Sequence, residues 1–574
     1  MVRPLPRRRD VPITARDCAA SSQWVALQAE RFTARAFASG ETMSISRRGF
    51  VRSASFALAA AQASTWLTPV SAAETELVVV DTAAGKVRGF VNRSVNTFKG
   101  IPYGASTVGK NRFMPPAKVP AWTGVRDAVE YGPSSPQASL PQGSALAGED
   151  CLVLNVFTPA VGARQKRPVM VWLHGGGFRS GTGSAPILDG TNLAHDHDVV
   201  VVTLNHRLNV FGFTYLAEAA GAEFALSGAA GMLDIVAALE WVRDNIERFG
   251  GDPNLVTVFG QSGGGRKVAT LMSMPSAKGL FHRAIVESGA VLRLTTPEDG
   301  QRATEMLLAE LGISPTQARE LQNVPMEQLA QAGVRLNEKF VLREPGMTEN
   351  SPIVDGVALP SHPWDPAGPA LSAGIPLLIG YAKTEETWYD RPTPQLLALD
   401  EAGLAKRVAE RIGGDGTDLI AAFREAYPQA TPWDLWILIA TEHPRGAHSR
   451  ELAERKAAQG SAPAYLYRFE WETPEGGGHM RSPHTIEIPF VFRNIEIAGP
   501  LISKMPEAYA LAEKVSAAWV AFARTGNPNV PQLPTWPVYS AATRDTLLFN
   551  NVIRVAQDPE RGAREAMERV LKLA

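Results

Sequence analysis

The sequence has little cysteine, no long apolar run and almost no excess charge of either sign. Its 574 residues include two cysteines, Cys18 and Cys151, so no disulfide framework is expected. The net charge of −1 disfavours a nucleic-acid partner, because such proteins usually present a basic face. No apolar run reaches the roughly 18–20 residues of a membrane-spanning helix, so no membrane span is expected. The remaining composition, 45% hydrophobic and 20% charged, is that of an ordinary globular protein.

The N-terminal region has the pattern of an export signal. A basic stretch, SISRRGFVR at residues 44–52, precedes a weakly apolar stretch at residues 53–67 and the small residues Ser71, Ala72 and Ala73. The arginine pair resembles a bacterial twin-arginine signal, a route that carries folded proteins and suits a fold without disulfides. The alternative interpretation is a basic amphipathic helix.

From this pattern we expect a twin-arginine signal over residues 43–73, cleaved after Ala72 or Ala73. The export machinery would then be a partner, and the protein would be periplasmic or secreted. Residues 1–42 would be an extension or the result of a misassigned start, because Met43 is a natural start.

Residues 74–574 have the pattern of a single α/β domain. Apolar stretches without alternation, VMVWL from residue 169, VVVVTL from residue 199 and LVTVF from residue 255, are typical of strands buried on both faces of a parallel sheet. Between the second and third, residues 231–249 have the apolar positions of a packed helix. Alternating strands and helices predict an α/β fold with a large, mostly parallel central sheet.

Three further segments complete the predicted architecture. Residues 77–103 have the pattern of an antiparallel meander at the N-terminal side of the sheet. Residues 298–345 and 395–460 are mostly helical and charged in pattern. We expect these two segments to be helical insertions that cap and flank the sheet.

One serine stands among glycines at the end of an apolar stretch. The segment GQSGG, residues 260–264, matches G-x-S-x-G between a predicted strand and a predicted helix. That context is typical of a nucleophile elbow, where a strained turn projects the serine from the edge of the sheet. The glycines fit this interpretation because side chains there would collide with the strand and the helix. The helix N-terminus favours negative charge on the reacting oxygen.

A second glycine run follows another predicted strand. HGGGF, residues 174–178, is either a tight turn or an oxyanion hole. Backbone N–H groups can approach a substrate oxygen only where no side chain blocks them, and glycine meets that need.

A reactive serine also needs a base and an orienting acid further along the chain, in the order serine, acid, histidine. Four histidines lie in the C-terminal part, His443, His448, His479 and His484. For the acid, residues 376–380 read as a buried strand, and Glu385 and Glu386 follow it. The carboxyl ends of strands are where sites gather in α/β folds, so these two carboxylates compete for the role.

These residues resemble, in order, the type-B carboxylesterase and cholinesterase family of α/β-hydrolases. The resemblance runs from about residue 87 to residue 539. Besides the two glycine runs, the matching segments are FKGIPY (98–103), EDCLVLNV (149–156), NHRL (205–208), FGGDP (249–253), GLFHRAI (279–285), DG (355–356), PHTIEIPFVF (483–492) and GNP (526–528).

The resemblance implies an α/β-hydrolase fold and a serine carboxylesterase that acts on a small-molecule ester through an acyl-enzyme, with no metal or organic cofactor. It implies Ser262 as nucleophile, His484 as base and Glu385 as acid. It implies the backbone N–H groups of Gly176, Gly177 and Gly263 as oxyanion donors.

The departures from the family pattern concern charge and cation binding. The family often has Glu before the nucleophile and Ala after it, where this chain has Gln261 and Gly263; the lost carboxylate weakens any attraction for cationic substrates. Cholinesterases close a tryptophan-bearing loop with a cysteine pair. Ser135 stands in the place of the first cysteine, so Cys151 is expected to be a buried thiol. Without that loop's aromatic cage, choline esters are not expected as substrates.

Three functions are compatible with these motifs. The first is hydrolysis of carboxylic esters, and the second is hydrolysis of a related acyl bond, a carbamate or an amide, by the same residues. The third is a non-catalytic binding module of cholinesterase-like form, although such modules typically lack the serine. Trp388, Trp433 and Trp436 line an acyl pocket or belong to the core.

Overall fold

The computed structural model describes residues 76–573, except for residues 142, 163–165 and 340–350. The expected extension at residues 1–42 and the expected export signal at residues 43–73 lie outside the described residues. Within the described part, thirteen strands form a single sheet in the order β1-β2-β3-β5-β7-β6-β8-β9-β10-β11-β12-β13, with β4 paired to β2. The strands are β1 Leu77–Asp81, β2 Lys86–Asn92, β3 Val95–Pro102, β4 Val125–Asp127, β5 Val153–Thr158, β6 Arg167–Leu173, β7 Val200–Leu204, β8 Gly251–Gln261, β9 Arg283–Glu287, β10 Leu377–Ala382, β11 Ala464–Phe469, β12 Asp545–Phe549 and β13 Arg554–Gln557.

The centre of the sheet is parallel and its two edges are antiparallel. Neighbouring strands run parallel from β7 through β6, β8, β9, β10 and β11 to β12. On one side β1, β2 and β3 form the antiparallel meander that was predicted over residues 77–103, and β5 pairs antiparallel with both β3 and β7. On the other side β13 returns antiparallel to β12. The central strands carry apolar side chains on both faces because helices cover both faces.

Helices connect the strands and cover the sheet. Their bounds are α1 Thr191–His197, α2 Asn209–Phe213, α3 Ala217–Ala220, α4 Ala230–Asn245, α5 Gly263–Leu271, α6 Pro297–Leu311, α7 Met326–Lys339, α8 Pro394–Leu397, α9 Glu401–Ile412, α10 Thr417–Ala426, α11 Pro432–Thr441, α12 Ala447–Ala458, α13 Ile488–Phe492, α14 Pro506–Thr525 and α15 Arg561–Leu571. A π-helical turn at Glu442–Gly446 joins α11 to α12. The charged segments predicted to be helical carry α6, α7 and α8–α12.

Two apolar clusters cover the two faces of the central strands. Val169, Val171 and Val258 belong to the cluster that also contains α4, whereas Met170 and Trp172 belong to the cluster that contains α14. Alternate residues of one strand therefore enter opposite clusters, as the two-residue period of a strand requires. The doubly buried strands predicted from the apolar runs are confirmed.

One segment departs from the expectation that no apolar run is long enough to span a membrane. Ala222–Phe249, which contains α4, passes that test by length and composition, and most of it is buried inside the protein. Burial of this kind is what a core helix of the sheet shows. The apolar side chains of α4, such as Ile235, Leu239 and Val242, are fully covered.

The parallel strands place the candidate site at one edge of the sheet. HGGGF follows β6, the serine follows β8, the competing carboxylates follow β10, and His484 lies in the connection after β11. The carboxyl ends of parallel neighbours meet at the same edge. The predicted α/β fold class is confirmed, and its topology gathers residues that lie up to about three hundred positions apart in the chain.

Candidate active site

Ser262 occupies a strained turn between β8 and α5. Its backbone has φ 58° and ψ −122°, a region that side-chain-bearing residues rarely adopt. The turn is held because Ser262 N donates to Glu287 O of β9 at 2.8 Å. A Cβ on Gly264 would overlap Leu173 O, so α5 starts directly against the end of β6. The side chain of Ser262 is half-buried at the end of the turn.

The glycine run after β6 lies on the first turn of α5. Gly176 and Gly177 have φ of 85° and 65°, values that favour glycine. A methyl group on Gly263 would overlap both N and O of Gly177, so these two backbones are in direct contact. Lys267, buried on α5, ties the same loop down, since its Nζ donates to His174 O at 2.9 Å. The structure thus brings Gly176, Gly177 and Gly263 together beside Ser262.

His484 and Glu385 form a buried pair. His484 Nδ1 lies 2.6 Å from Glu385 Oε2, and both side chains are almost fully covered. Glu385 begins a short 3₁₀ turn, Glu385–Trp388, and its Oε1 accepts from Ala382 N at 2.9 Å. Because the carboxylate fixes Nδ1 as a donor, Nε2 is left as the ring atom that can accept a proton.

The neighbour of the serine contacts this pair. The side-chain Nε2 of Gln261 lies 3.2 Å from Nδ1 and 3.4 Å from Nε2 of His484. Gln261 therefore joins the elbow to the imidazole, and Ser262, the next residue, stands at the same edge. Of the four histidines that the sequence left open, His484 is the one in contact with Glu385.

The sequence predicts that Glu386 faces either solvent or a nearby arginine or lysine, and the second alternative is confirmed. The side chain is buried, and its oxygens lie 3.5 Å from Arg411 Nη1 and 3.7 Å from Arg445 Nη1. The expected basic partner is therefore present, in duplicate. Arg445 also reaches the other carboxylate, since its Nε lies 3.2 Å from Glu385 Oε2. Two guanidinium groups thus balance two adjacent buried carboxylates, which would be costly to bury unpaired.

These charges set the protonation of the pair. Burial alone would raise the pKa of Glu385, but His484 and Arg445 hold that pKa below its ordinary value. The pKa of His484 is lowered, chiefly by burial; Glu385 opposes this shift, and the positive charges of Arg445 and Arg266 add to it. At neutral pH the pair is therefore an ionised carboxylate beside a neutral imidazole that is ready to accept a proton.

Sequence reasoning missed a layer of acidic residues beneath the pair. Ser288 Oγ donates to Glu487 Oε1 at 2.9 Å, and Trp519 Nε1 donates to Glu287 Oε1 at 2.8 Å. Burial raises the pKa of Glu287 to about 8 and that of Glu487 well above its ordinary value, so both stay protonated at neutral pH. The position of these residues in the sequence could have revealed them, because Glu287 and Ser288 follow the apolar residues of β9 just as Glu385 follows β10. No pattern in the sequence pointed to Arg445.

The three tryptophans have different surroundings. Trp433 and Trp436 are buried in a cluster of the helical insertion, where Trp436 Nε1 donates to Asp390 Oδ2 at 2.7 Å. Trp388 instead lines a cavity of about 620 Å³, together with Ile187, Met480, Pro483, Thr485, Ile488 and Leu501 among others. Pro483 and Thr485, the chain neighbours of His484, contribute to this lining, whereas His484 and Ser262 do not.

Cys151 is a free, fully buried thiol within the described residues. Burial raises its pKa to about 12. These surroundings support the expected structural role of Cys151, because a buried thiol of high pKa is unreactive.

Comparisons with known proteins agree with the geometry. Residues 76–565 match the model of the carboxylesterase family. The chain is 36% identical to para-nitrobenzyl esterase of Bacillus subtilis (85% of this chain, 98% of that protein) and 32% identical to phenmedipham hydrolase of Pseudarthrobacter oxydans (81% and 93%). The crystal structure of the Geobacillus stearothermophilus carboxylesterase EST55 superposes with a TM-score of 0.76 at 40% identity, covering 85% of this chain and 99% of that one.

Proposed function

Because the chain belongs to the carboxylesterase family and is a carboxylic-ester hydrolase, we propose that it cleaves esters with Ser262 as nucleophile, His484 as base and Glu385 as orienting acid. The observation that carries this proposal is the buried His484–Glu385 pair at 2.6 Å beside the strained serine turn. A nucleophile, a base and an acid in this relation are what acyl transfer by serine requires. A role as a non-catalytic binding module is set aside.

In the proposed mechanism, His484 Nε2 removes the Ser262 proton as Oγ attacks the ester carbonyl. The oxyanion forms against the N–H groups of Gly176, Gly177 and Gly263, whose backbones converge beside the serine. Each such donor contributes about 3–4 kcal/mol to transition-state stabilisation. His484 then returns the proton to the leaving alcohol, and water releases the acyl group by the same sequence.

The cavity lined by Pro483 and Thr485, the chain neighbours of His484, supports esters with an apolar group. Its lining, which includes Trp388, Ile187 and Leu501, is mostly apolar, and its volume of about 620 Å³ is within the range of small-molecule sites. Small or aromatic esters fit this description.

The nucleophile assignment is tested by Ser262→Ala, assayed on 4-nitrophenyl esters of graded chain length and by fluorophosphonate labelling. We expect both turnover and labelling to be lost while the melting temperature is unchanged, because only the attacking oxygen is removed. Ser273→Ala is the matched control, since Ser273 caps the end of α5 by donating to Thr270 O at 2.7 Å. Near-normal turnover of Ser262→Ala would sink the assignment.

A second candidate is hydrolysis of a carbamate or an amide by the same residues. The similarity of this chain to phenmedipham hydrolase is the reason to test this candidate. 4-Nitrophenyl esters and carbamates, which share 4-nitrophenol as leaving group, and 4-nitroanilides with the same acyl groups decide between the two. A kcat/KM on the carbamate or the anilide above that on the ester would make the second candidate the better description.

We also propose that the protein is exported by the twin-arginine route, as the segment around Arg47 and Arg48 indicates. The double variant Arg47→Lys, Arg48→Lys should leave precursor in the cytoplasm. Normal export of that variant would contradict this proposal. The mature N-terminus of the exported protein is expected at Ala73 or Glu74.

A further inference from the structure

Arg266 stands one helical turn beyond the nucleophile and, among the residues that the structure describes, has no anionic partner. Its backbone N donates to Ser262 O at 3.0 Å, so the two residues share a face of α5. The side chain is half-buried. Across residues 76–573, apart from the undescribed gaps, no hydrogen bond or ion pair engages its guanidinium. A charged group this close to the reacting atom is unusual without compensation.

The other charges around Arg266 do not neutralise it. Burial lowers its pKa to about 10, and the positive charges of Arg445 and Arg179 contribute to that shift, so the guanidinium remains charged at neutral pH. The carboxylates of Glu385 and Glu386 are already matched by Arg445 and Arg411. Two negative charges face two positive ones there, and the charge of Arg266 is additional.

The residue before the nucleophile adds to this asymmetry. Gln261 is fully buried and carries no charge at the position where the carboxylesterase family often has a glutamate. The nucleophile is therefore preceded by a neutral amide and followed, one helical turn later, by a guanidinium that no described carboxylate compensates. Such an arrangement attracts negative charge and repels positive charge.

We infer that Arg266 binds a carboxylate of the substrate, and that the preferred substrates are esters that carry a second, free carboxylate, such as half-esters of dicarboxylic acids. This inference rests on the proposed function. A guanidinium presents parallel N–H donors that match both oxygens of a carboxylate. Partial burial strengthens the pairing relative to an exposed ion pair.

The first test compares matched substrates of the unmodified enzyme. Mono(4-nitrophenyl) adipate and 4-nitrophenyl hexanoate differ at the far end of the acyl chain, and 4-acetoxybenzoate and 4-methylphenyl acetate differ on the alcohol side. We expect the anionic member of one pair to have a kcat/KM about 10- to 100-fold higher, the range of a hydrogen-bonded charge pair. The pair that shows the preference identifies the side of the ester that faces Arg266, and the preference should shrink as ionic strength rises.

The second test removes the guanidinium. Arg266→Gln should lower the anionic-to-neutral ratio of kcat/KM at least about tenfold, and Arg266→Lys should keep part of the preference because the charge remains. Arg283→Gln is the matched control: Arg283 is also half-buried, but it lies at the opposite end of β9, with its Nη2 donating to Arg524 O at 3.1 Å. The control should keep the ratio.

The outcomes separate this inference from the proposed function. Hydrolysis of the neutral esters with no preference in either pair, or a preference that survives in Arg266→Gln, overturns the role of Arg266 and leaves the esterase intact. Failure on all four esters overturns the proposed function. If Arg266→Gln does not fold, the salt dependence of the unmodified enzyme and the ratio in Arg266→Lys decide.

Discussion

The nucleophile side of the site, residues 174–177 and 260–266, and its acid side, residues 382–388 and 442–447, meet at the ring of His484. On the nucleophile side backbone contacts position the groups: Gly177 and Gly263 bring two main chains together, and Lys267 donates a hydrogen bond to the carbonyl of His174. On the acid side they are placed by charge: Glu385 and Glu386 are held by Arg445 and Arg411. The two sides are therefore sensitive to different substitutions. Added side-chain volume disrupts the nucleophile side, and altered charge disrupts the acid side.

The largest effect should come from separating the two carboxylates. Glu385→Gln should lower turnover by about 10⁴-fold, the cost of a misoriented imidazole tautomer in a serine protease. Glu386→Gln should lower it less than about tenfold, because Glu386 touches arginines and not the imidazole. Steady-state rates of the two variants on one 4-nitrophenyl ester measure this difference, and the reverse ranking would move the acid by one residue.

The next largest effect should come from one methyl group on the nucleophile side. Gly263→Ala introduces the residue that the family often has after the nucleophile, but in this chain the new Cβ overlaps the backbone of Gly177, so the oxyanion loop must shift. We expect kcat to fall by about 10²-fold, the cost of losing or misplacing one donor, with KM little changed. Gly374→Ala is the control, since a Cβ there meets nothing within 4 Å. Full activity of Gly263→Ala would show that the backbone contact does not position the donors.

A smaller effect should appear in the pH profile when charge is removed on the acid side. Burial and the positive charge of Arg445 both lower the pKa of His484, so the acidic limb of kcat/KM should lie below pH 6.5. Arg445→Gln removes that charge and leaves Glu385 less compensated, and both changes raise the pKa. We expect the limb to move to higher pH, which lowers activity on its acidic side.

Two variants make this shift specific. Arg445→Lys should restore most of the original profile. Arg411 contacts Glu386 but not Glu385. Arg411→Gln should therefore move the limb less. An unmoved limb in Arg445→Gln would mean that Arg445 does not influence the base.

The smallest effect concerns stability on the nucleophile side. Burial lowers the pKa of Lys267 to about 7, whereas in the unfolded chain it is about 10.4. Between these values the unfolded state binds a proton that the folded state has lost, so this residue makes the free energy of unfolding rise with pH, by at most about 1.4 kcal/mol per unit. Urea unfolding at pH 7.5 and 9.5 should therefore show a steeper rise for the unmodified protein than for Lys267→Met. Equal slopes would mean that Lys267 stays protonated in the fold.

The same contrast explains how far the sequence could be interpreted. Doubly buried strands leave uninterrupted apolar runs, and backbone contacts leave glycines, so β6, β8 and the serine turn were visible in the sequence alone. Ion pairs leave no local pattern, because Arg445 lies about sixty residues from Glu385 and any charged surface helix offers an arginine. For the same reason the sequence left open whether Glu386 faces solvent or a basic side chain: its burial depends on partners from α9 and from the π-helical turn, which sequence spacing does not bring together.

The order of the site residues along the chain determines when during synthesis the enzyme can become active. The residues of the nucleophile turn and of the oxyanion loop have all been synthesised by residue 265, but the base lies 219 residues further along the chain, at His484. At about 5–20 residues per second, a ribosome needs roughly 10 to 45 s to reach it. During that interval the nascent chain lacks the imidazole that activates the serine, and for the first 120 residues it also lacks the carboxylate of Glu385. The serine is therefore inert until most of the chain has been synthesised, and a truncated product of translation is a non-hydrolysing one.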